Sequence, residues 1–193
     1  YSSITKNDGT PFKVFSPFWR HAEQIYLDKV PPKENKIKKL NKKLSIFNSK
    51  NKPKDLLPKY DWYKKFENYW NVSEKDSHNE LQNFLKERIL KYSNDRDFPS
   101  LNGSSKLSPY IRNGQLNVNK IWKSCSSIKN KNIGVRKYLN ELGWREFSHS
   151  LINYFPEMLK GNLRKEFDKF PWEKNNKFLN AWKKGMTGYP IVD

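Results

Sequence analysis

Residues 103–109 combine residue types that can bind a phosphate group. The segment holds three serines and a lysine at the start of a predicted helix. Unpaired backbone N–H groups and the positive end of the helix dipole favour anions at a helix N-terminus. An ordinary serine cap would use the same residues without any ligand, so the segment by itself is compatible with both interpretations.

A second segment places four residues at spacings of 3, 4 and 3 on a predicted helix: Tyr138, Glu141, Arg145 and Ser148. At that spacing an aromatic ring, a carboxylate and a guanidinium lie on neighbouring turns and can face one cavity. The alternative is an ion pair between Glu141 and Arg145, four residues apart, which requires no ligand.

Other reactive residues give weaker indications. The three histidines are too far apart in sequence to form a metal-ligand motif, and we interpret them as surface or helix-face residues: His21, His78 and His149. Cys125 has no histidine nearby in sequence to activate it, which favours a buried, inert thiol. No glycine-rich phosphate loop of the Walker type is present. The tryptophans of residues 170–172 and 181–182 are compatible with core filling or with redox chemistry.

The composition excludes several classes of protein. The 193 residues carry 38 Lys+Arg against 20 Asp+Glu, and 15% of them are aromatic. No apolar run approaches the roughly 18 residues of a membrane span, and the aromatic content argues against a disordered chain. The single cysteine excludes an internal disulfide, and we expect a reducing, cytoplasmic location. The net charge of +18 fits a nucleic-acid partner as well as it fits lysines on solvated surfaces.

The front of the chain predicts one short strand and one helix. Residues 12–15 (Phe-Lys-Val-Phe) are a candidate for a short strand, and they are followed by Ser16 and Pro17, a suitable start for a helix that runs to about Leu27. Residues 30–60 contain four prolines among many charges and are predicted to form a linker.

The remainder of the chain predicts an all-α body. A helix capped by Ser73 or Asp76 is predicted to end before residues 96–99. Further helices are predicted at residues 106–112, 118–126, 134–154 and 175–184. The last of these is expected to point three apolar side chains inward: Phe178, Leu179 and Trp182.

In this order, the segments resemble the flavin-binding helical domain of the photolyase and cryptochrome family. The matching stretches are residues 12–18, Tyr92 with 96–99, 104–109, 113–114, 139–147, 170–172, 181–182 and 185–193. The last stretch is most similar to bacterial class I enzymes that repair cyclobutane pyrimidine dimers. The resemblance implies that residues 1–29 end an α/β antenna domain and that residues 30–60 link it to the next domain. Residues 61–193 would begin a truncated helical FAD- and DNA-binding domain.

The resemblance assigns an FAD cofactor to two groups of residues. Tyr92 and the serine-rich segment would hold its adenine-dinucleotide part, through Ser104, Ser105, Lys106, Leu107 and Ser108. Tyr138 lies where the family usually has an aromatic residue, often Trp, against the flavin site, and Arg145 matches an arginine beside the flavin. An antenna chromophore, either folate or deazaflavin, would bind mostly outside this chain. No metal is implied.

The resemblance also assigns a DNA partner to the long helix. Glu141 and Trp144 would wall the cavity that takes a flipped pyrimidine dimer, Glu141 by hydrogen bonding or proton donation and Trp144 by stacking. Their neighbours would contact DNA as well: Leu142, Gly143, Arg145, Glu146, Phe147 and Ser148. Arg96 matches a residue that contacts phosphate. Trp172 matches the solvent-side end of the tryptophan chain that photoreduces the flavin.

The implied function is that of a light-driven carbon–carbon lyase, in which reduced FAD donates an electron to a pyrimidine dimer in DNA. We expect a monomer that binds no membrane. The acids that face the flavin ring should lie beyond Asp193, so the chain alone is expected to bind FAD poorly and to repair nothing. One alternative is a cryptochrome-like blue-light receptor, which has no need of a dimer-facing acid and indole. The other is a basic helical nucleic-acid-binding module without a cofactor.

Overall fold

The computed structural model describes residues 4–28, 59–128 and 132–193. The chain divides into two compact units, Tyr1–Ser150 and Leu151–Asp193, and each is described by itself. Most of the predicted linker, residues 30–60, lies outside the described residues, and the predicted domain ranges stay predictions.

The first unit is helical. Its helices are α1 (Phe15–Asp28), α2 (Glu74–Asn83), α3 (Tyr92–Asp95), α4 (Ser108–Arg112), α5 (Val118–Ser126) and α6 (Ile133–Tyr154), the last of which continues past Ser150. A 3₁₀ segment, Asp61–Asn68, precedes α2. The described ranges contain no strand, so the all-α class is confirmed. The predicted bounds of α5 and α6 are confirmed to within about one residue.

Side-chain caps determine where two of these helices begin. Ser73 accepts a hydrogen bond from the backbone N–H of Asp76 at 3.0 Å, and Asn117 accepts one from the N–H of Asn119 at 2.8 Å. Each bond satisfies an N–H group that has no partner within its helix. Ser73 rather than Asp76 is therefore the cap of α2.

The helix predicted to follow Ser73 is interrupted. A π-helical segment, Phe84–Arg88, follows α2, and α3 begins only at Tyr92. Five apolar residues predicted this helix by their spacing; Leu81, Phe84, Ile89 and Tyr92 are buried, and Leu85 is half-buried. The burial of these side chains is kept across the interruption, and Tyr92 is buried on a separate short helix.

The short strand predicted at residues 12–15 is wrong. Residues 12–14 are irregular and α1 already begins at Phe15. A strand needs a neighbour that pairs with its backbone N–H and C=O groups, and the described residues offer none. Phe12 instead packs its ring on Phe18, with the centroids 6.0 Å apart.

Helices α1 and α6 pack through aromatic side chains. Phe15 stacks on Trp144 with ring centroids 3.7 Å apart, and Phe18 lies 5.2 Å from Phe147. Both Phe18 and Phe147 are buried. Aromatic pairs at such distances add to the free energy gained from burial of their surfaces, and they fix α1 along one side of α6.

The two helices are in close contact at Gly143. The indole of Trp19 lies directly against this glycine, and a Cβ atom added to Gly143 would clash with the six-membered ring. The indole N–H of Trp19 donates a 2.8 Å hydrogen bond to the side-chain oxygen of Asn140. A glycine inside α6 therefore makes room for a tryptophan, and the hydrogen bond fixes the orientation of that tryptophan.

The second unit lacks buried side chains. It contains the 3₁₀ turns Pro156–Leu159 and Lys165–Lys169 and helix α7 (Asn176–Lys183), and none of residues 151–193 is buried. The prediction that α7 points its apolar residues inward is wrong, because Phe178, Leu179 and Trp182 are 64%, 45% and 62% exposed. An amphipathic spacing indicates that a helix has one apolar face, but it does not show that another element packs against that face.

Substitution of Gly143 by Ala tests the packing of α1 on α6. Helix propensity alone would stabilise the protein by about 0.5–1 kcal/mol. The clash with Trp19 predicts the opposite sign, a loss of about 1–3 kcal/mol in the free energy of unfolding. Urea denaturation measures the difference. Lys137→Ala, an exposed position on the same helix, should stay within about 0.5 kcal/mol of wild type, and a stabilised Gly143→Ala variant would contradict the packing.

Candidate functional site

The first unit contains a cavity of about 660 Å³. Three separate segments supply its walls: α3, the loop and helix around α4, and one face of α6. The lining residues are Tyr92, Ser105, Ser108, Ile111, Arg112, Tyr138, Glu141, Leu142, Arg145 and His149. The volume lies within the range of about 300–1,000 Å³ that is typical of small-molecule sites.

Aromatic rings form one wall of this cavity. Tyr138 lies 5.2 Å from Tyr92 and 4.6 Å from Phe84 between ring centroids, and all three residues are buried. Burial raises the pKa of Tyr138 well above its ordinary value, although a hydrogen bond with Ser105 acts in the opposite direction. Burial likewise raises the pKa of Tyr92. Both phenols therefore stay neutral and protonated at physiological pH.

An ion pair joins α6 to the end of α3. The Arg96 guanidinium binds the Glu141 carboxylate through Nη1 and lies over the Tyr92 ring, with its central carbon 5.4 Å from the ring centroid. Burial is the largest single influence and lowers the pKa of Arg96, but the hydrogen bond with Glu141 and the charges of Tyr92, Glu141 and Asp97 together raise it by more, so the net shift is upward. Arg96 thus holds two lining residues in place without lining the cavity itself.

A second ion pair lies on α6. Arg145 Nη1 is 2.6 Å from Glu146 Oε1, and the Glu146 side chain is buried. A buried carboxylate requires a cationic partner, because an unpaired charge is costly in a low-dielectric interior. Arg145 therefore balances the negative charge of Glu146, and it also lines the cavity.

The serine-rich segment contributes less to the cavity than its sequence predicts. Ser105 and Ser108 line it, whereas Ser104 is exposed outside the lining and Leu107 is fully buried. Lys106 is also exposed, with a left-handed backbone conformation (φ 56°) that is unusual for a residue other than glycine. The predicted helix 106–112 is reduced to Ser108–Arg112, and Leu107 gives it no side-chain cap.

The structure places Trp144 outside the lining of this cavity, and its predicted part, with Glu141, in the wall that takes a flipped dimer stays a prediction. Its indole stacks on Phe15 of α1 and is not among the lining residues. The physical reason is the helical rotation of about 100° per residue, which turns Trp144 away from the face that carries Tyr138 and Arg145.

The predicted DNA-contacting run on α6 is only partly at the surface. Gly143, Glu146 and Phe147 are buried, so direct contact of these three with DNA is corrected. Leu142 is buried as well, but it lines the cavity. Ser148 is exposed, and its hydroxyl donates a hydrogen bond to the carbonyl of Trp144.

Trp172 belongs to the second unit. It is exposed, and its ring lies 4.7 Å from that of Phe170. Its predicted part in electron transfer stays a prediction.

Three lining residues were missed by the sequence predictions: Ile111, Arg112 and His149. Helical spacing could have found them. Arg112 follows Ser108 by four positions, and His149 follows Arg145 by four positions, so each shares a helix face with a residue that was predicted. His149 was instead interpreted as a surface residue.

The described residues hold no group of three His, Cys, Asp or Glu side chains that could bind a metal ion. Nor does any helix in these ranges have the length and apolar character needed to span a membrane. Cys125 is buried as predicted, and burial raises the pKa of its thiol to about 12.

The ion pair between Arg96 and Glu141 can be measured by a double-mutant cycle. We expect a coupling of about 0.5–1 kcal/mol from Arg96→Ala, Glu141→Ala and the double variant in urea denaturation, since both side chains are only 27% and 32% exposed. The matched control is the pair of Asp61 and Lys64, which are 63% and 59% exposed. Its coupling should be below about 0.5 kcal/mol, and equal couplings for the two pairs would contradict the partly buried geometry.

Comparison with known proteins indicates the family that the chain is similar to. A family model described as the FAD binding domain of DNA photolyase matches residues 138–193. A deoxyribodipyrimidine photo-lyase from Agrobacterium fabrum is 32% identical over 201 residues, which cover 100% of this chain and 40% of that protein. One from Alkalihalophilus pseudofirmus is 29% identical, covering 98% and 39%. The chain therefore spans about 40% of the length of the curated relatives it matches.

A solved structure is similar over nearly the whole chain. The crystal structure of a bacterial class III photolyase from Agrobacterium tumefaciens matches with a TM-score of 0.77 and 30% identity, over 99% of this chain and 40% of that one. The sequence had predicted greatest likeness to class I enzymes, and the subgroup stays a prediction. Fold, matched residues and relatives together show that the chain belongs to the DNA photolyase family, and that it corresponds to part of the helical FAD-binding region.

Proposed function

We propose that this chain forms part of the FAD and DNA sites of a deoxyribodipyrimidine photo-lyase, an enzyme that uses light to repair cyclobutane pyrimidine dimers in DNA. The observation that carries the proposal is the cavity, because Tyr92, Ser105 and Ser108 meet Tyr138 and Arg145 there from distant parts of the chain. The names of the relatives, rather than the cavity, favour repair over blue-light signalling.

The residues present fit an FAD cofactor. The buried rings of Tyr92 and Tyr138 offer apolar surface to a planar group, while the hydroxyls of Ser105 and Ser108 and the Arg145 guanidinium offer hydrogen bonds to its polar parts. Reduced FAD would supply the electron that splits the dimer. The chain's own contribution is to bind the cofactor, orient it and keep water from the aromatic wall.

The residues also support a DNA partner. An enzyme that acts on a base within a duplex must turn that base out of the stack, and photolyases are a known example. Glu141 stands on the cavity wall, where its carboxylate can accept a hydrogen bond from a flipped base. The net charge of +18 supplies attraction to phosphates at any sequence.

Arg96 is paired with Glu141 through Nη1 and with Asp97 through Nε, so a DNA phosphate that contacts Arg96 would exchange with these carboxylates or share the guanidinium with them. A phosphate can take the place of a carboxylate on a guanidinium. Phosphate binding by Arg96 would then release the Glu141 carboxylate toward the cavity, and the arrival of DNA would make that acid available to the flipped base.

We extend the proposal to a monomeric, cytoplasmic protein whose full-length form carries a folate or deazaflavin antenna. The single cysteine, which is buried, fits a reducing compartment.

Filling the cavity should abolish flavin binding. Ser108→Phe places a ring in the cavity, and we expect the affinity for FAD, measured by quenching of flavin fluorescence, to fall at least about tenfold, or about 1.4 kcal/mol. Ser127→Phe is the matched control, since this exposed serine at the end of α5 lies outside the lining. Equal loss in both variants, or FAD binding that Ser108→Phe leaves intact, would place the flavin elsewhere.

The salt dependence of DNA binding tests Arg96. For a single-stranded oligonucleotide with one thymine dimer, Arg96→Gln should reduce the slope of log affinity against log salt by about 0.7, because one phosphate contact is lost. Glu141→Gln should tighten binding of undamaged strands, because Arg96 no longer has to exchange a carboxylate. Arg136→Gln, an exposed arginine of α6 outside the cavity, gives the baseline. If Arg96→Gln and Arg136→Gln give the same slope, Arg96 is not a phosphate contact.

A further inference from the structure

At three places in the described ranges an aspartate or asparagine is followed directly by glycine: Asp8, Asn102 and Asn113. At such a pair the backbone nitrogen of the glycine can attack the side-chain carbonyl carbon of the residue before it. Glycine favours this reaction because it has no Cβ atom and its backbone is conformationally free. The reaction contributes to the thermal lability of asparagine in proteins. Whether a given pair reacts depends on how firmly the fold holds its two groups.

Hydrogen bonds hold both groups of the first pair. The Asp8 carboxylate accepts bonds from the backbone N–H and the hydroxyl of Thr10 at 2.9 and 2.6 Å. The N–H of Gly9 donates to the carbonyl of Lys6 at 2.9 Å. The bond from the Thr10 hydroxyl is the largest influence that lowers the pKa of Asp8. The carboxyl therefore stays ionised, and a carboxylate resists attack by a nucleophile.

Hydrogen bonds also hold both groups at the end of α4. The side-chain amide of Asn113 donates to the carbonyl of Pro109 at 2.9 Å, and the N–H of Gly114 donates to the carbonyl of Ile111 at 3.3 Å. The amide and the glycine nitrogen must both leave these partners before they can react with each other. The pair is therefore protected as long as the end of the helix stays folded.

The pair of Asn102 and Gly103 has no such protection. Within the part of the chain that the structure describes, neither the Asn102 side chain nor the N–H of Gly103 makes a hydrogen bond. Asn102 is exposed and lies in irregular backbone between α3 and α4. Gly103 is buried, but only the proton of its N–H has to reach the solvent, so a small opening of the loop is sufficient for reaction.

Gly103 also joins two walls of the cavity. It lies directly against the end of α3, where a Cβ atom added to it would clash with the backbone carbonyl of Asp95. Tyr92 of α3 lines the cavity, and so does Ser105, two positions after Gly103. The close contact of Gly103 with Asp95 therefore holds the serine-rich loop beside α3.

We propose that Asn102 is a self-modification site, at which the chain converts asparagine to aspartate and isoaspartate without an enzyme. Hydroxide removes the N–H proton of Gly103, and the nitrogen attacks the side-chain carbonyl carbon of Asn102. The new N–C bond closes a cyclic imide, and the side-chain nitrogen leaves as ammonia. Water then opens the imide at the side-chain carbonyl, which gives aspartate, or at the main-chain carbonyl, which gives isoaspartate. The inference goes beyond the proposed function and holds whatever ligand the cavity binds.

The two products affect the loop differently. Both add a negative charge, but only isoaspartate routes the chain through its side chain and so adds a CH₂ group to the backbone before Gly103. Because Gly103 already lies in close contact with Asp95, the longer backbone has to displace it. We expect isoaspartate to separate the loop from α3 and to loosen Ser105, and aspartate to leave the contact in place.

Peptide mapping by mass spectrometry measures the modification while the folded 193-residue chain is incubated at mildly alkaline pH. Asn102 should react at least about tenfold faster than Asn113, since two hydrogen bonds protect the second site. In urea, where both sites unfold, the two rates should agree within about threefold. Equal rates in the folded chain would overturn the inference. A ratio in urea as large as in the folded chain would also overturn it, because the local sequence would then explain the difference.

Hydrogen exchange of residues 103–107 tests the effect on the cavity wall. Asn102→Gln is the matched control, because glutamine keeps the amide but places its carbonyl carbon one bond further from the Gly103 nitrogen. Exchange should be at least about fivefold faster in isoaspartate-containing wild type, and should change less than about twofold in equally aged Asn102→Gln and in fresh Asn102→Asp. Unchanged exchange in modified wild type, or equally fast exchange in Asn102→Asp, would contradict the displacement by a longer backbone.

Discussion

The first unit depends on α6 packing against α1 with one side while its opposite side lines the cavity. With about 100° of rotation per residue, Gly143 and Phe147 point nearly opposite to Tyr138 and Arg145. The contact of Trp19 with Gly143 fixes the rotation of α6 about its axis. That rotation in turn determines which side chains of α6 face the cavity. The site is therefore positioned by packing on the far side of the same helix.

Much of this arrangement could be predicted because it is local. Asn117 caps α5, and periodic apolar residues predict α6; the spacing of Tyr138, Glu141 and Arg145 puts them on one face. The convergence of that face with Ser105 and Ser108 is not local, and only the family resemblance predicted it. Spacing within one helix says which residues share a face, but not which other segment meets it.

The differences between the predictions and the structure also have physical causes. Trp144 lies at the border between the two faces of α6, and its side is decided by Phe15, which is remote in sequence. The π-helical segment Phe84–Arg88 preserves the burial of an apolar stripe while breaking the helix, so periodicity does not reveal it. The sequence predicts the amphipathic pattern of α7 correctly, but the apolar face is exposed. Whether such a face is buried depends on the neighbouring elements, which the pattern within one helix does not describe.

The apolar surface of the second unit bears on how the chain behaves in concentrated solution. Trp172, Phe178, Trp182 and Tyr189 are exposed there on a chain of net charge +18. Mutual repulsion keeps such molecules apart in dilute buffer, but the screening length falls to about 10 Å at 0.1 M salt and to about 3 Å at 1 M. Exposed rings on neighbouring copies can then meet, so colloidal stability is set by ionic strength rather than by the fold.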